Sequence, residues 1–356
     1  MNSLRIIGLM SGTSLDGIDL ADVIFDVKSS KWNFKIIRTK SFYFPEDLLS
    51  KLKNADKIPA SELFELDAEL SLFYGSIVLE YLEKNKINQS EIDAVASHGQ
   101  TVFHQPQKGY TVQIGNKPHA AIKCGLKWIC DFRIKDVALG GNGAPLVPIG
   151  DFRLFYDYAD SFLNLGGFSN ISYMKNQKIT AYDISPANII LNKVCSAISG
   201  KNFDENGDLG KNGKILDELL KKLNTIDYYS QKPPKSLGTE WLNSEFYPVL
   251  NPFDFNIDVL RTLYEHIAMQ IARNLNDASI ASVMISGGGA KNDFLIELIE
   301  NYFNGKVIIP SDDIVDFKEA IIFAFLGALK LKGLNNILAE YSGAKCDSSS
   351  GIIHLP

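Results

Sequence analysis

The sequence predicts a two-domain α/β protein that carries an internal duplication. The chain has 356 residues, more than one hydrophobic core usually serves. Its opening reads β-β-β-α-β, with short apolar runs followed by a stretch of helical period. A second β-β-β-α unit begins near Ser161, and like the first it opens on a hairpin whose turn is made of small residues.

Leu4 to Leu9 reads as a buried strand, Ile18 to Val27 as a second and Trp32 to Phe44 as a third, so the chain opens as an antiparallel meander. A Rossmann unit differs, because there the Gly-rich turn opens a helix. Ser61 can cap a helix in which Leu63, Leu66, Leu70, Phe73, Ile77 and Tyr81 recur at steps of three and four. Ile92 to Ser97 is a strand. In the second unit Ser161 to Leu165, Ile171 to Met174 and Lys178 to Tyr182 are the three strands, and a helix follows from about Pro186. The predicted remainder is helix Asp258 to Asn276, strand Ala281 to Ser286, helix Lys291 to Tyr302, strand Lys306 to Pro310 and helix Asp316 to Lys332. The boundary is placed in the loop-rich region near residue 135, giving domains 1–134 and 135–356. The polar stretch 201–247 reads either as an insertion beside an active cleft or as a surface connection. The extreme C-terminus is expected to pack back on the first domain.

Composition excludes several classes. Hydrophobic residues at 46% and charged residues at 22% are ordinary for a globular chain. A net charge of -6 offers no basic surplus for a nucleic-acid backbone. The apolar run from Leu4 is too short for a signal-peptide core, and no stretch approaches the ~20 residues of a membrane span. Cys124, Cys130, Cys195 and Cys346 lack CxxC spacing and suit reduced thiols, so a cytoplasmic protein without a membrane partner is expected. Oligomeric state stays open, a homodimer included.

Three glycine turns sit at the ends of apolar strands: the turn from Ser11 to Gly17, Gly166-Gly167, and Gly287-Gly288-Gly289. Glycine lets backbone approach a ligand, and exposed amides with hydroxyls donate to phosphate oxygens. The stretch Gly12, Thr13, Ser14, Leu15, Asp16, Gly17, Ile18 and Asp19 is therefore the candidate nucleotide cradle, with the two later turns beside it. Asp16 or Asp19 could hold Mg²⁺ through water. The competing explanation of the first turn is a plain hairpin stabilised by Asp16 and Gly17. No G-x-x-x-x-G-K-[ST] occurs, so this is not a P-loop chain. Asp183 is a candidate base or a helix N-cap, and Arg133 an anion fork or a structural partner of Asp131 or Asp136. Glu319, near the start of a predicted helix, reads by itself as a solvated or dipole-complementing acid. His98 and His104 are six apart, unlike H-E-x-x-H, so a structural or substrate-contact role outweighs metal ligation.

The run from Gly8 to Gly17, GLMSGTSLDG, is similar to the opening of the anhydro-N-acetylmuramic acid kinases. So are Ser97-His98-Gly99-Gln100-Thr101-Val102, Gln113-Ile114-Gly115, Asp131-Phe132-Arg133, the run from Gly140 to Pro148, Asn164-Leu165-Gly166-Gly167 and Lys318-Glu319-Ala320. The resemblance runs in order over essentially the whole chain. It implies the actin/hexokinase-like fold, two ribonuclease H-like domains with a cleft between them. It implies ATP-dependent, hydrolytic opening of 1,6-anhydro-N-acetylmuramic acid to the 6-phosphate in cell-wall recycling, with ATP and Mg²⁺. Asp183, Pro186 and Asn188 match the family's D-T-G-P-G-N motif, whose acid is catalytic, while Ile184, Ser185 and Ala187 depart from it. The resemblance likewise points Arg133 and Glu319 to the sugar, and His98 is placed beside them as a substrate contact. Thr239 stands where the family often has Arg. Two alternatives remain beside this one: an ordinary hexose or amino-sugar kinase, and a nucleotide-gated sugar sensor without turnover.

Overall fold

Two mixed β-sheets organise the chain, each with its own core. In the computed structural model, which describes residues 3–28, 31–176, 178–233 and 235–356, the chain divides into two units. One is Met1–Leu154 with Phe317–Pro356, the other Phe155–Asp316. The division therefore falls later than the boundary near residue 135. The helices Ile134–Ala138 and Pro148–Leu154 stay with the first unit, where Gly150 packs on Ile322 and Lys318 pairs with Asp151. The last forty residues of the chain also belong to it.

In the first unit β1 (Leu4–Met10), β2 (Ile18–Lys28) and β3 (Lys31–Phe42) form the antiparallel meander. β4 (Ala94–Ser97) lies parallel to β1; β5 (Gln100–Gln105) and β6 (Tyr110–Ile114) make a separate hairpin. β7 (Trp128–Cys130) runs parallel to β4, giving the order β7-β4-β1-β2-β3. The centre of β1 is buried on both faces, as its continuous apolar run requires. On one face Ile7 and Leu9 join the core of the Ala60–Asn85 helix with Leu66, Leu70 and Tyr74. On the other, a Cβ at Gly8 would overlap the Ala320 carbonyl, so only glycine lets the Asp312–Leu331 helix lie this close.

The second unit repeats the pattern. β8 (Ser161–Leu165), β9 (Phe168–Lys175) and β10 (Lys178–Pro186) form the meander. β11 (Ser282–Ser286) is parallel to β8, and β12 (Lys306–Ile308) to β11. The order β10-β9-β8-β11-β12 equals that of the first sheet strand for strand. Each is the ribonuclease H-like order 3-2-1-4-5, and the duplication is real. A short strand, β13 (Ile352–His354), extends only the first sheet, antiparallel to β7.

Several boundaries shift with consequences. β10 runs on to Pro186 and the next helix is Asn188–Ser199, so Pro186 ends a strand instead of opening a helix. The last long helix begins at Asp312, which moves Glu319 out of its first turn. Segment 201–247 is more than a surface connection: Leu219, Leu223, Leu242 and Phe246 are 0–1% exposed in the second core. Burying such side chains contributes about 1.5–3 kcal/mol each.

Candidate active site

The turn after β1 shows which of its groups remain for a ligand. The Ser11 hydroxyl donates to the Gly99 carbonyl (3.1 Å) and accepts from the Tyr74 hydroxyl (2.7 Å), so it is spent inside the protein. Ser14 Oγ donates to Asp16 Oδ1 (2.8 Å) and Ser41 Oγ to Asp19 Oδ1 (2.6 Å). Thr13 is exposed. The glycines differ in kind. A Cβ on Gly17 would sit 2.9 Å from the Phe42 carbonyl oxygen, a structural demand. A Cβ on Gly12 would meet nothing nearer than Ser14 Oγ at 3.4 Å, so internal packing does not require glycine there. The open side of Gly12 is what a close ligand needs. A pocket of about 350 Å³ adjoins the turn, lined by Thr13, Ser14, Leu15, Gln100 and Thr101 among others.

Arg133 precedes the Ile134–Ala138 helix and pairs with neither Asp131 nor Asp136. Its Nε donates to His98 Nε2 (3.0 Å) and its Nη1 to the Gly143 carbonyl (2.7 Å). Asp136 instead accepts from the Gly143 amide, and Asp131 from Asn116 Nδ2. Burial pulls the Arg133 guanidinium down to about 10, with Glu319 acting the other way. His98 is buried and its ring lies 4.9 Å from that of Phe323. Its Nδ1 is 3.3 Å from the Ser11 carbonyl, so both ring nitrogens are taken and neither is open to a sugar, contrary to the expected direct contact. Glu319 is raised from its ordinary value chiefly by burial, which the charges of Lys318 and Arg133 partly offset. Beside it Lys318 Nζ pairs with Asp151 Oδ1 at 3.1 Å, both almost fully buried.

In the second unit the glycine turns follow two parallel neighbours, β8 and β11, and so share one edge of the sheet. Gly166 and Gly167 use their carbonyls to accept the amides of Ala187, Asn188 and Ile189, which ties the turn to the start of the next helix. Gly287 has φ 83°, and a Cβ there would meet Asn164 Oδ1 at 2.5 Å. Gly288 faces open space, with Asn188 Nδ2 at 3.9 Å the nearest atom.

Asp183 lies within β10 at a bulge. It is not a helix cap: the cap position is Ala187, without a side-chain bond. Three bonds with segment 201–247 hold it. Its amide donates to the Lys235 carbonyl (3.3 Å), its carbonyl accepts from Tyr228 Oη (2.6 Å), and its Oδ2 accepts the Leu237 amide (2.8 Å). Burial raises the carboxyl above the ordinary aspartate value, against the lowering effect of the Leu237 amide. The sheet register aligns Asp183 with Asn170, Asn164 and Ser286 on successive strands. Paired residues share a face, so a polar row runs from the carboxylate across the sheet, with Asn170 beside it. Asn170 and Ser286 escape sequence reasoning because only cross-strand register, absent from local pattern, places them in one row with Asp183.

Two ribonuclease H-like units in one chain, with glycine turns at strand ends in both, define the class: a protein of the actin/hexokinase-like ATPase fold. The chain belongs to the anhydro-N-acetylmuramic acid kinase family, whose model matches residues 4–356. It is 35% identical to the enzyme of that name from Mannheimia succiniciproducens, over 98% of both chains. The Pasteurella multocida enzyme is 34% identical over 99% of this chain and 97% of that one, and the Sulfurovum sp. enzyme 32% identical over the full length of both. Among solved structures a ROK family glucokinase from Streptomyces griseus, in complex with glucose and AMPPNP, aligns over 90% of this chain and 98% of that one. The identity there is 12% and the TM-score 0.40, so the fold rests on the chain's own sheet order.

Proposed function

We propose that this chain uses ATP and water to convert 1,6-anhydro-N-acetylmuramic acid into N-acetylmuramic acid 6-phosphate, a step in cell-wall recycling. The observation that carries the proposal is Asp183: a carboxylate fixed by the Leu237 amide, raised by burial, and set in a polar row beside the glycine turns. Family membership names the sugar.

Asp183 takes a proton from water as the water oxygen attacks C1. The bond from C1 to the bridging oxygen breaks and its electrons stay on O6. That alkoxide attacks the γ-phosphorus and ADP leaves. The phosphoryl acceptor does the work of a general acid, so one carboxylate suffices, unlike the pair of an inverting glycosidase. Arg133 keeps N–H groups beyond its two internal bonds and suits the lactyl carboxylate. Glu319 suits a ring hydroxyl or the acetamido N–H. The open faces of Gly12 and Gly288 suit phosphates. Gly166 and Gly167 contribute through their amides, since their carbonyls are engaged.

Mg²⁺ is implied by the fold. Among the described residues no group of three His, Cys, Asp or Glu could hold a metal ion. Exposed Asp16 beside the turn fits a magnesium carried by phosphates and waters with one or two carboxylates. Bound there, it would neutralise phosphate charge. No helix among the described residues is long and apolar enough to cross a membrane. The four free cysteines suit a reducing cytoplasm. The test is ADP release across a panel of anhydro and reducing amino sugars. Turnover with the anhydro acid sugar alone supports the proposal, turnover of a reducing hexosamine favours the ordinary kinase, and binding without ADP release favours a sensor.

A further inference from the structure

The segment His98–Gln100 holds the end of β1 and the turn after it at four points. The His98 amide donates to the Leu9 carbonyl (3.0 Å), and the Gly99 carbonyl accepts Ser11 Oγ (3.1 Å). Gln100 Nε2 donates to the Gly12 carbonyl (3.1 Å), and His98 Nδ1 reaches the Ser11 carbonyl (3.3 Å). The opposite side of the His98 ring meets Arg133. Hydrogen-bond chemistry then fixes the tautomer. Arg133 Nε–H can only donate, so His98 Nε2 must hold a lone pair; the Ser11 carbonyl can only accept, so Nδ1 must carry the proton. An imidazolium would lose the Arg133 bond and place two cations in contact. Phe323 packs on the ring, and burial keeps it neutral.

We infer that His98 is a positioning residue, a neutral imidazole bridge that couples the anion site at Arg133 to the nucleotide turn at Ser11–Gly12. This rests on the proposed roles of Arg133 and of that turn. An acidic sugar that fixes Arg133 fixes the ring, and the ring fixes the Ser11 carbonyl. Sugar and nucleotide therefore bind with positive cooperativity, and reciprocity requires each to tighten the other by the same factor.

Two substitutions separate the halves of the bridge. In His98→Asn the short amide keeps a donor where Nδ1 was and loses Arg133. In His98→Gln the longer amide keeps an acceptor where Nε2 was and loses Ser11. Calorimetry with AMPPNP, 1,6-anhydro-N-acetylmuramic acid and the neutral analogue lacking the lactyl group reads both. Wild type should bind AMPPNP about 5-fold or more tightly once the acidic sugar is present, and show less coupling with the neutral analogue. His98→Asn should weaken the acidic sugar about 10-fold while leaving AMPPNP alone bound as before. His98→Gln should do the reverse, and both should lose the coupling. Thermal melts establish that the variants are folded; if one is not, the other carries the test. A wild type that binds no acidic sugar overturns the functional proposal and this inference with it. A wild type that binds both ligands independently, or variants that couple them as wild type does, overturns the inference alone.

Discussion

The proposed base, Asp183, holds a proton more tightly than a surface aspartate does, because it is buried at a bulge in β10. The sign of the pH effect follows. The base works ionised, so the acid limb of kcat/KM should fall above the ordinary aspartate value of about 3.9. Asp183→Asn should lower kcat by ~10²–10⁴ with ATP and sugar still bound, measured by ADP release and calorimetry. A group whose folded pKa is raised contributes stability below its unfolded pKa and loses it as pH rises through the folded one. Asp183→Asn should therefore match or exceed the wild-type Tm near pH 7; a large loss there would mean a structural role instead. Arg133→Lys keeps the charge but cannot keep Nε on His98 and Nη1 on Gly143 together. KM for the acidic sugar should rise strongly and that for the neutral analogue little; equal changes would remove Arg133 from the anion site.

At the scale of elements, glycines separate turns that packing requires from turns proposed to hold ligand. Gly12→Val adds a side chain to open space, so folding should survive, while affinity for ATP collapses in calorimetry. Gly8→Val should destabilise the fold itself, because the Asp312–Leu331 helix occupies that space. The reverse pattern in melts and binding would show that the turn is packed for its own sake. The same contrast explains what the sequence discloses. The two meanders and the long helices are legible because apolar runs and helical periods are local signals, as in LRIIGLM of β1. The β5–β6 hairpin escapes notice because β5 (QTVFHQ) does not alternate and β6, although YTVQI does, is only five residues long. The extension of β10 through Asp183 to Pro186 escapes it too, since a proline at a strand end resembles one at a helix start. At the site, motif resemblance reaches Asp183, Arg133 and Glu319. The commitment of both His98 nitrogens and the row Asp183–Asn170–Asn164–Ser286 depend on contacts distant in sequence.

The whole molecule is two copies of one sheet order that have diverged in what they carry, with Arg133, Glu319 and the first glycine turn in one unit and Asp183 with two glycine turns in the other. Each core also buries a neutral histidine. His98 and His266 are both pushed down to about 3 by burial, so their contribution to stability is full above the unfolded value near 6.5 and is lost as pH falls toward 3. Each should cost about 2 kcal/mol of stability between pH 7 and pH 5. His266→Gln should flatten that dependence in urea unfolding, and an unchanged slope would contradict it. The proposal that the chain carries out a hydrolytic phosphorylation is tested most directly by turnover in ¹⁸O-labelled water. One solvent oxygen is expected at C1 of the first-formed sugar phosphate, read early because reducing sugars slowly exchange that oxygen. A sugar phosphate formed without solvent oxygen would contradict it.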